Sequence, residues 1–510
     1  ASKMLDAENR SAVQIPDPFL EKLLLEATME AVRTGCVKGI KDLGGGGLSC
    51  CLSETSDSLG KGFDVELSNV NVREGGMTPA ELMISESQER MLYVTSTEKL
   101  PALKSVLDKY EIRYSILGTV QEHQDLVVRN SGGVVASMPS HLVAHAPLAE
   151  RASRRPKYLD ALSGKRPAVP SDLGKALLSL LADPTIASKR WVYNQYDNEV
   201  GIRTVIKPGM GDAAVLRLDT DDRLVAIKLD GNSKHCYLDP YQGTLGCLSE
   251  GRRNVICTGA EPIGVVDHLQ FASPENPEVF WTFTQAVKAI IDYCKFIEIP
   301  VVGGKVSFYN ETAKGPIKPS IVMGTLGLIE DLSHVTKTAL ASGDSIFIVG
   351  HTFTEMGGSE YYEYVHGITG GAVPKVDLEQ DRRNGDGILK LIRKGLARSV
   401  HDCSKGGLAI ALAEMAIAGK TGLKIDSDTI PNSCKSPDDL LFSESNSRYI
   451  VATSEPDKVR SLLSSEGVVF AQIGRAEGTT IEFSRGRKRM INLPLGKAEA
   501  SYYSLEETMK

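Results

Sequence analysis

A chain of 510 residues is too long for one hydrophobic core, and about three domains fit its length. It is 42% hydrophobic and 24% charged, an ordinary globular composition, and its net charge of −7 (58 basic against 65 acidic side chains) excludes a general nucleic-acid binder, which needs a basic footprint. No apolar run is long enough to span a bilayer, and Ala1-Ser2-Lys3-Met4-Leu5-Asp6 does not read as a signal peptide, so a cytoplasmic protein with no membrane partner is expected.

In chain order, Asp17-Pro18 reads as a cap and first turn of a helix whose apolar face is Phe19, Leu20, Leu23, Leu24, Ala27 and Val32, ended by Gly35. A strand over Val37–Ile40 leads to Asp42, then Gly44-Gly45-Gly46-Gly47, then a helix from Leu48. Alternation predicts a strand over Phe63–Leu67. Residues Thr78–Glu86 read as a short helix running into a strand that starts at Glu86-Ser87-Gln88. A strand over Met91–Thr95, a helix over Leu103–Tyr110 and a hairpin across Asn130-Ser131-Gly132-Gly133 complete a first domain, residues 1–150. Residues 151–170, with Arg151, Arg154, Arg155, Lys157, Lys165 and Arg166, read as a solvated basic linker.

A middle domain, 171–330, alternates hairpins with helices, which predicts a mixed or antiparallel sheet with helices on one face. Its helices are expected over Leu173–Leu181, Gly243–Thr258 and Val279–Cys294. Asp267 follows Gly264-Val265-Val266 at a strand's end, where it could also cap a helix, and Val301–Asn310 reads as a strand broken by glycines. A third domain, 331–510, opens with the strand Asp344–Gly350. The nine cysteines show no CxxC or Cys/His spacing, so reduced thiols are expected, with Cys50-Cys51 serving as packing.

The glycine turn carries the chemistry. Glycines let backbone N–H groups approach a ligand, and a carboxylate at the mouth of the turn can hold Mg²⁺ beside phosphate oxygens. A ligand-free strand-to-helix turn would show the same residues, but here they occur twice. His401-Asp402-Cys403-Ser404-Lys405-Gly406-Gly407-Leu408 repeats Lys41-Asp42-Leu43-Gly44-Gly45-Gly46-Gly47-Leu48, and Leu440-Leu441-Phe442-Ser443-Glu444-Ser445-Asn446-Ser447-Arg448 repeats Leu82-Met83-Ile84-Ser85-Glu86-Ser87-Gln88-Glu89-Arg90. Asp42 and Glu86 are 44 residues apart, and Asp402 and Glu444 are 42 apart. One domain is therefore duplicated around a different one. The second copy has Lys405 for Gly45 and Asn446 for Gln88, and is expected to be a degenerate site that holds structure or a trapped nucleotide. The strand over 344–350 has no counterpart ahead of the first copy, which is expected to be truncated at its start.

These segments, together with Val13-Gln14-Ile15-Pro16-Asp17-Pro18, Ser188-Lys189-Arg190-Trp191-Val192-Tyr193, Gly259-Ala260-Glu261-Pro262 and Gly303-Gly304-Lys305-Val306-Ser307-Phe308-Tyr309-Asn310, resemble phosphoribosylformylglycinamidine synthase, small-type synthetase subunit II. The resemblance implies an α+β/α/β fold of the aminoimidazole-ribonucleotide-synthetase-like superfamily. Two B domains flank an A domain, and the first A domain is expected to be lacking. It implies an ATP- and Mg²⁺-dependent ligase of purine biosynthesis. That enzyme amidates formylglycinamide ribonucleotide through an iminophosphate, with ammonia from a glutaminase subunit and a small accessory subunit as a further partner. It places Gln14, Glu86, Ser87, Gln88 and Ser307 on the substrate, Asp267 and Gly304 at ATP, and Asp42 on the metal. No catalytic residue is expected in this chain, since the family's histidine belongs to the lacking domain, and the chain alone is expected not to turn over. Lys305 stands where the family has a metal-binding Asn, and an ammonium cannot ligate a cation. His268 and Gln270 also depart from the family's Cys and Asn. Other readings are a different member of the superfamily, such as aminoimidazole ribonucleotide or selenophosphate synthetase, or an inactive fragment serving as a structural partner.

Overall fold

The computed structural model describes residues 16–72, 75–145, 147–162, 166–219 and 221–509. The chain divides into two compact units, Ala1–Glu150 and Arg151–Lys510.

In the first unit, α1 (Pro18–Arg33) starts where Asp17 accepts from the N–H of Leu20 and Pro18 takes the first turn. The buried stripe is Leu24, Ala27 and Ala31, while Phe19 and Val32 are exposed. Those two lie off the stripe that a 3.6-residue period selects, so the wider apolar face read from the sequence is corrected. Next come β1 (Gly39–Asp42), α2 (Gly47–Leu59), β2 (Gly62–Glu66), α3 (Pro79–Ile84), β3 (Met91–Val94), α4 (Leu100–Lys109), β4 (Gly118–Gln121), β5 (Asp125–Asn130), β6 (Gly133–Pro139) and α5 (Ser140–Ala144). The strands make two sheets, β1-β3 and β4-β2-β5-β6. Thr78 and Glu81 form a reciprocal capping box at α3. That helix stops at Ile84, so Glu86-Ser87-Gln88 lies in a loop and not at a strand start.

In the second unit, α6 (Leu173–Leu181) precedes β7 (Thr204–Ile206), β8 (Ala214–Arg217), β9 (Leu224–Gly231), α7 (Pro240–Cys257), β10 (Glu261–Gln270), α8 (Pro277–Ile297), β11 (Val301–Ser307) and β12 (Ser320–Ile329). These strands form one mixed sheet, β11-β10-β12-β9-β8-β7, in which only β10 and β11 run parallel. Helices α7 and α8 cover one face, with Leu245, Leu248, Val265, Ala286, Ala289, Tyr293, Ile321 and Met323 in its core. The other face is bare: Leu229 is 67% and Val302 63% exposed, flanked by Ile227. Gly264, Gly303 and Gly324 flatten this face, where a Cβ on each would meet Val302, Val266, or Val266 and Leu229.

The remaining strands are β13 (Ser345–Val349), β14 (Ser399–Asp402), β15 (Leu423–Asp426), β16 (Tyr449–Thr453), β17 (Phe470–Ala476), β18 (Thr480–Arg485) and β19 (Lys488–Pro494). The helices among them include α9 (Leu378–Arg393), α10 (Gly407–Gly419), α11 (Pro437–Phe442), α12 (Pro456–Ser465) and α13 (Leu495–Tyr502). The sheet order is β14-β16-β13-β17-β15-β18-β19. Without β13 it splits into β14-β16 and β17-β15-β18-β19, which is the pattern of the first unit, with the same parallel and antiparallel pairings. The duplication read from the motifs is therefore a duplication of topology. Among the described residues of the first unit no strand takes the place of β13.

The basic linker is not solvated along its length. Arg166 donates to Asp439, which is fully buried, at 2.6 and 2.8 Å. Tyr158 stacks on Tyr237 with centroids 4.6 Å apart, and Arg154 pairs with Glu278. The buried acids at the start of α11 need a cation, and composition alone did not reveal which one answers them.

All nine cysteines are free thiols; Cys51 is buried as expected, but Cys50 is exposed on the first turn of α2. Among the described residues no helix is long and apolar enough to cross a membrane.

Candidate active site

The turn that follows β1 is built by positive backbone angles. Gly46 (φ +77°) precedes α2 and Gly47 (φ +55°) opens it, a region that costs an L-residue about 1–2 kcal/mol. There is also no room for side chains. A Cβ on Gly46 would lie 2.4 Å from Cys50 Sγ, and one on Gly47 would lie 2.2 Å from the Ser85 carbonyl. The same positions in the second copy, Gly406 and Gly407, meet Ile410 at 2.5 Å and the Ser443 carbonyl at 2.6 Å.

That close approach brings the two motifs of each copy together. The Gly46 N–H donates to Glu86 Oε1 at 2.9 Å, and the Gly406 N–H donates to Glu444 Oε1 at 2.8 Å. Arg90 braces its loop through the carbonyls of Ser85 and Ser87, as Arg448 does through those of Ser443 and Ser445. Glu89 and Ser447 both take positive φ at the same step.

In the first copy the site is open. Asp42, Glu86, Ser87 and Gln88 are all exposed. A Cβ on Gly44 would sit 3.2 Å from Asp42 Oδ2, and one on Gly45 would sit 3.9 Å from Glu86 Oε1, so the glycines clear the space beside both carboxylates. An all-oxygen donor set of this kind suits a hard divalent cation such as Mg²⁺.

In the second copy the same groups are sealed. Asp402, Glu444 and Ser445 are buried, and α7 lies against them. Lys405 places its ammonium 3.4 Å from Glu250 of α7, and Arg253 of the same helix lies 3.7 Å from Asp402. Burial, helped by Glu360, pushes the Glu444 carboxyl up to about 8, and burial with Asp212 alongside pushes Asp402 up to about 7. The Lys405 pKa is raised, chiefly by the negative charge of Glu250. Burial works against a charged His401, but Asp212 at 2.6 Å and Glu414 at 3.2 Å hold its pKa well above the ordinary value. A cationic side chain thus occupies the turn where the first copy leaves space.

The other candidates lie in the second unit. Asp267 is inside β10 and not at its end, so it is not a helix cap, and it stands in register with Gly304 of β11. A Cβ at Gly304 would fall 2.2 Å from Asp267 Oδ2, so only glycine lets this carboxylate lie across the neighbouring strand. Burial raises the Asp267 pKa. Ser307 ends β11, where Asn310 donates to its Oγ at 3.1 Å and to its carbonyl at 2.9 Å. Lys305 pairs with His268 across the strands and is exposed. Gln14 lies outside the described residues.

Sequence reasoning missed the acid–base network beneath the second turn, formed by Asp212, Lys228, Asp230, Glu250 and Arg253. The signal was a helix reading Gly-Cys-Leu-Ser-Glu-Gly-Arg-Arg-Asn over 246–254, whose glycines allow close packing beside its charges.

The model of the AIR synthase related protein C-terminal domain matches residues 1–130 and again 341–485, and that of the N-terminal domain matches 210–329. Phosphoribosylformylglycinamidine synthase subunit PurL of Thermococcus gammatolerans is 43% identical over 500 residues, covering 98% of this chain and 68% of the relative. The Thermococcus kodakarensis subunit is 41% identical over 510 residues, covering 100% and 70%. Among solved structures, Thermotoga maritima PurL complexed with ATP has a TM-score of 0.65 at 26% identity, covering 91% of this chain and 68% of that one. The same protein complexed with FGAR gives 0.65, 26%, 91% and 66%, and Thermotoga maritima PurLQS gives 0.65, 25%, 91% and 68%. The duplicated C-terminal-type domain, the intervening N-terminal-type domain and relatives matched along the whole chain lead to one assignment: the chain belongs to the phosphoribosylformylglycinamidine synthase subunit PurL family of ligases.

Proposed function

We propose that the chain acts in the ATP-dependent amidation of formylglycinamide ribonucleotide to formylglycinamidine ribonucleotide, and that its first copy provides the working half of the site. The observation that carries this is the contrast between the copies: Asp42, Glu86, Ser87 and Gln88 are open to solvent, and their counterparts Asp402, Glu444 and Ser445 are buried. The solved Thermotoga maritima complexes with ATP and with FGAR support the same reactants here. In this reading ATP phosphorylates the amide oxygen to an iminophosphate, and ammonia displaces phosphate to leave the amidine. The PurLQS structure supports partner subunits, of which a glutaminase would supply the ammonia.

Asp42 would hold Mg²⁺, which neutralises charge on the phosphates when bound, and Glu86 would face the substrate. Asp42 is kept at the mouth of the turn by its pairing with Met91 of β3, and Glu86 is fixed by the Gly46 N–H. Ser87 offers a hydroxyl and Gln88 a carboxamide to the substrate, with Gln14 and Ser307 as further contacts. Asp267, lying over Gly304, faces the nucleotide in this reading. Exposed Lys305 pairs with phosphate oxygens. The bare face of the middle sheet suits a like domain as its cover.

The test is turnover by the full-length protein with substrate, ATP, Mg²⁺ and ammonium. Asp42→Asn should raise the Mg²⁺ needed and lower turnover, whereas Asp402→Asn should change stability with the Mg²⁺ requirement unmoved. Equal effects of the two substitutions on the Mg²⁺ requirement would overturn the assignment of the open copy.

A further inference from the structure

The copies differ at a second place, away from the glycine turns. In the second copy, α6 packs on α10 and α13, and the surface it covers is apolar. Matching the elements in order pairs α2 with α10, β6 with β19, and the helix after each of those strands. This sets Asp57 against Ile417, His141 against Gly496 and His145 against Ala500. Where one copy has a buried Ile417 beside the small, exposed Gly496 and Ala500, the other carries three metal-ligand side chains.

Those three converge. His145 Nε2 lies 2.8 Å from Asp57 Oδ2, and His141 Nδ1 lies 3.3 Å from Asp57 Oδ1. The imidazole centroids are 4.6 Å apart, and one ligand atom from each residue falls within 4.8 Å of the other two. The two histidines are one helical turn apart, on α5 and at its end, so they project to the same side. Both rings are more than half exposed while Asp57 is 27% exposed, so an ion could reach the carboxylate from water. Asp57 and His145 also line a cleft of about 470 Å³ with Lys41, Glu54 and Ala144, which leaves space for a further ligand such as water.

We propose that Asp57, His141 and His145 form a binding site for a divalent transition-metal ion of the zinc class. Two imidazoles and one carboxylate suit Zn²⁺, whose bonds to such ligands are about 2.0–2.2 Å, whereas Mg²⁺ prefers oxygen ligands in an octahedron. Rotations of the exposed rings suffice to bring three atoms already so close onto one ion. The site is separate from the glycine turn, because Asp57 lies roughly 15 Å along α2 from its first residue. A bound ion would tie α5 to α2.

The test is titration of the chelator-treated chain with Zn²⁺ against a chromophoric competitor, and with Co²⁺ read by its visible absorption. One equivalent of Zn²⁺ should be lost in His141→Ala/His145→Ala, and Asp57→Asn should weaken it at least about tenfold, the scale seen when a metal site loses a supporting group. Millimolar Mg²⁺ should not displace it. Circular dichroism of the metal-free proteins checks folding, and His145→Gln alone serves if the double variant is unstable. Unchanged zinc stoichiometry and affinity in a folded histidine variant would overturn the proposal, as would the absence of a stoichiometric zinc site in the unsubstituted chain.

Discussion

The backbone N–H of Gly46 donates to the carboxylate of Glu86 at 2.9 Å, joining two motifs 40 residues apart in the chain. The bond depends on how closely the turn approaches the loop, and that closeness has a measurable cost when side chains are added. Gly47→Ala should destabilise the first unit by more than the conformational cost of about 1–2 kcal/mol, because the new methyl would meet the Ser85 backbone at 2.2 Å. Gly45→Ala, with its nearest neighbour at 3.9 Å, should be close to neutral. Urea unfolding of the two variants compares them directly; equal midpoints would contradict the packing described.

The sealed copy should make stability depend on pH. Folding raises the Glu444 carboxyl from 4.5 to about 8, so the folded state keeps a proton that the unfolded state releases. Its contribution is fully present below about pH 4.5 and is lost as pH rises toward 8, by up to about 1.4 kcal/mol per unit. Glu444→Gln should remove that part of the slope. Denaturant midpoints between pH 5 and 8.5 measure it, and an unchanged slope in the variant would show that Glu444 is not the group responsible.

Lys405 should act as a structural cation. Lys405→Met takes from Glu250 the largest of its three cationic influences and leaves Arg253 and Lys228, so the cost should fall below the figure of about 3–5 kcal/mol for a buried charge left wholly unpaired. Glu250→Gln/Lys405→Met should recover part of the loss. A double-mutant cycle read by chemical unfolding gives the coupling, and additive effects would mean that the pair does not interact.

The bare face of the middle sheet should drive association. Leu229→Asp and Val302→Asp place charge at its two most exposed apolar positions, and neither residue contributes to the helix-covered core. Sedimentation velocity of the chain should show reversible self-association that each substitution weakens. A monomeric chain at all concentrations would refute this.

The repeated motif was legible because its residues are constrained twice, by backbone angle at Gly46 and Gly47 and by the reach of Glu86. The substitutions that set the second copy apart, Lys405 for Gly45 and Asn446 for Gln88, were also visible. What could not be read was the origin of the seal. Glu250, Arg252 and Arg253 look like the polar side of a surface helix, and only packing against Asp381, Asp402 and Lys405 shows them buried. The Arg166 contact spans more than 270 residues, and the Asp57 cluster spans more than 80, so neither leaves a local pattern. The helix face of α1 was drawn too wide because hydrophobicity alone does not separate Phe19 from Leu24.

The strand β13 has a mechanical consequence. In the second copy it stitches β16 to β17, so that seven strands form one continuous beam. Among the described residues of the first copy no strand joins the corresponding β3 and β4, which belong to two separate sheets, two plates in place of the beam. Asp42 ends one strand of the smaller plate, and Glu86 lies in the loop that enters the other. If that plate rocked against the larger one, it would carry both carboxylates as a pair. Their mutual spacing would survive while their distance from anything held by the larger plate changed, an arrangement that a single beam does not allow.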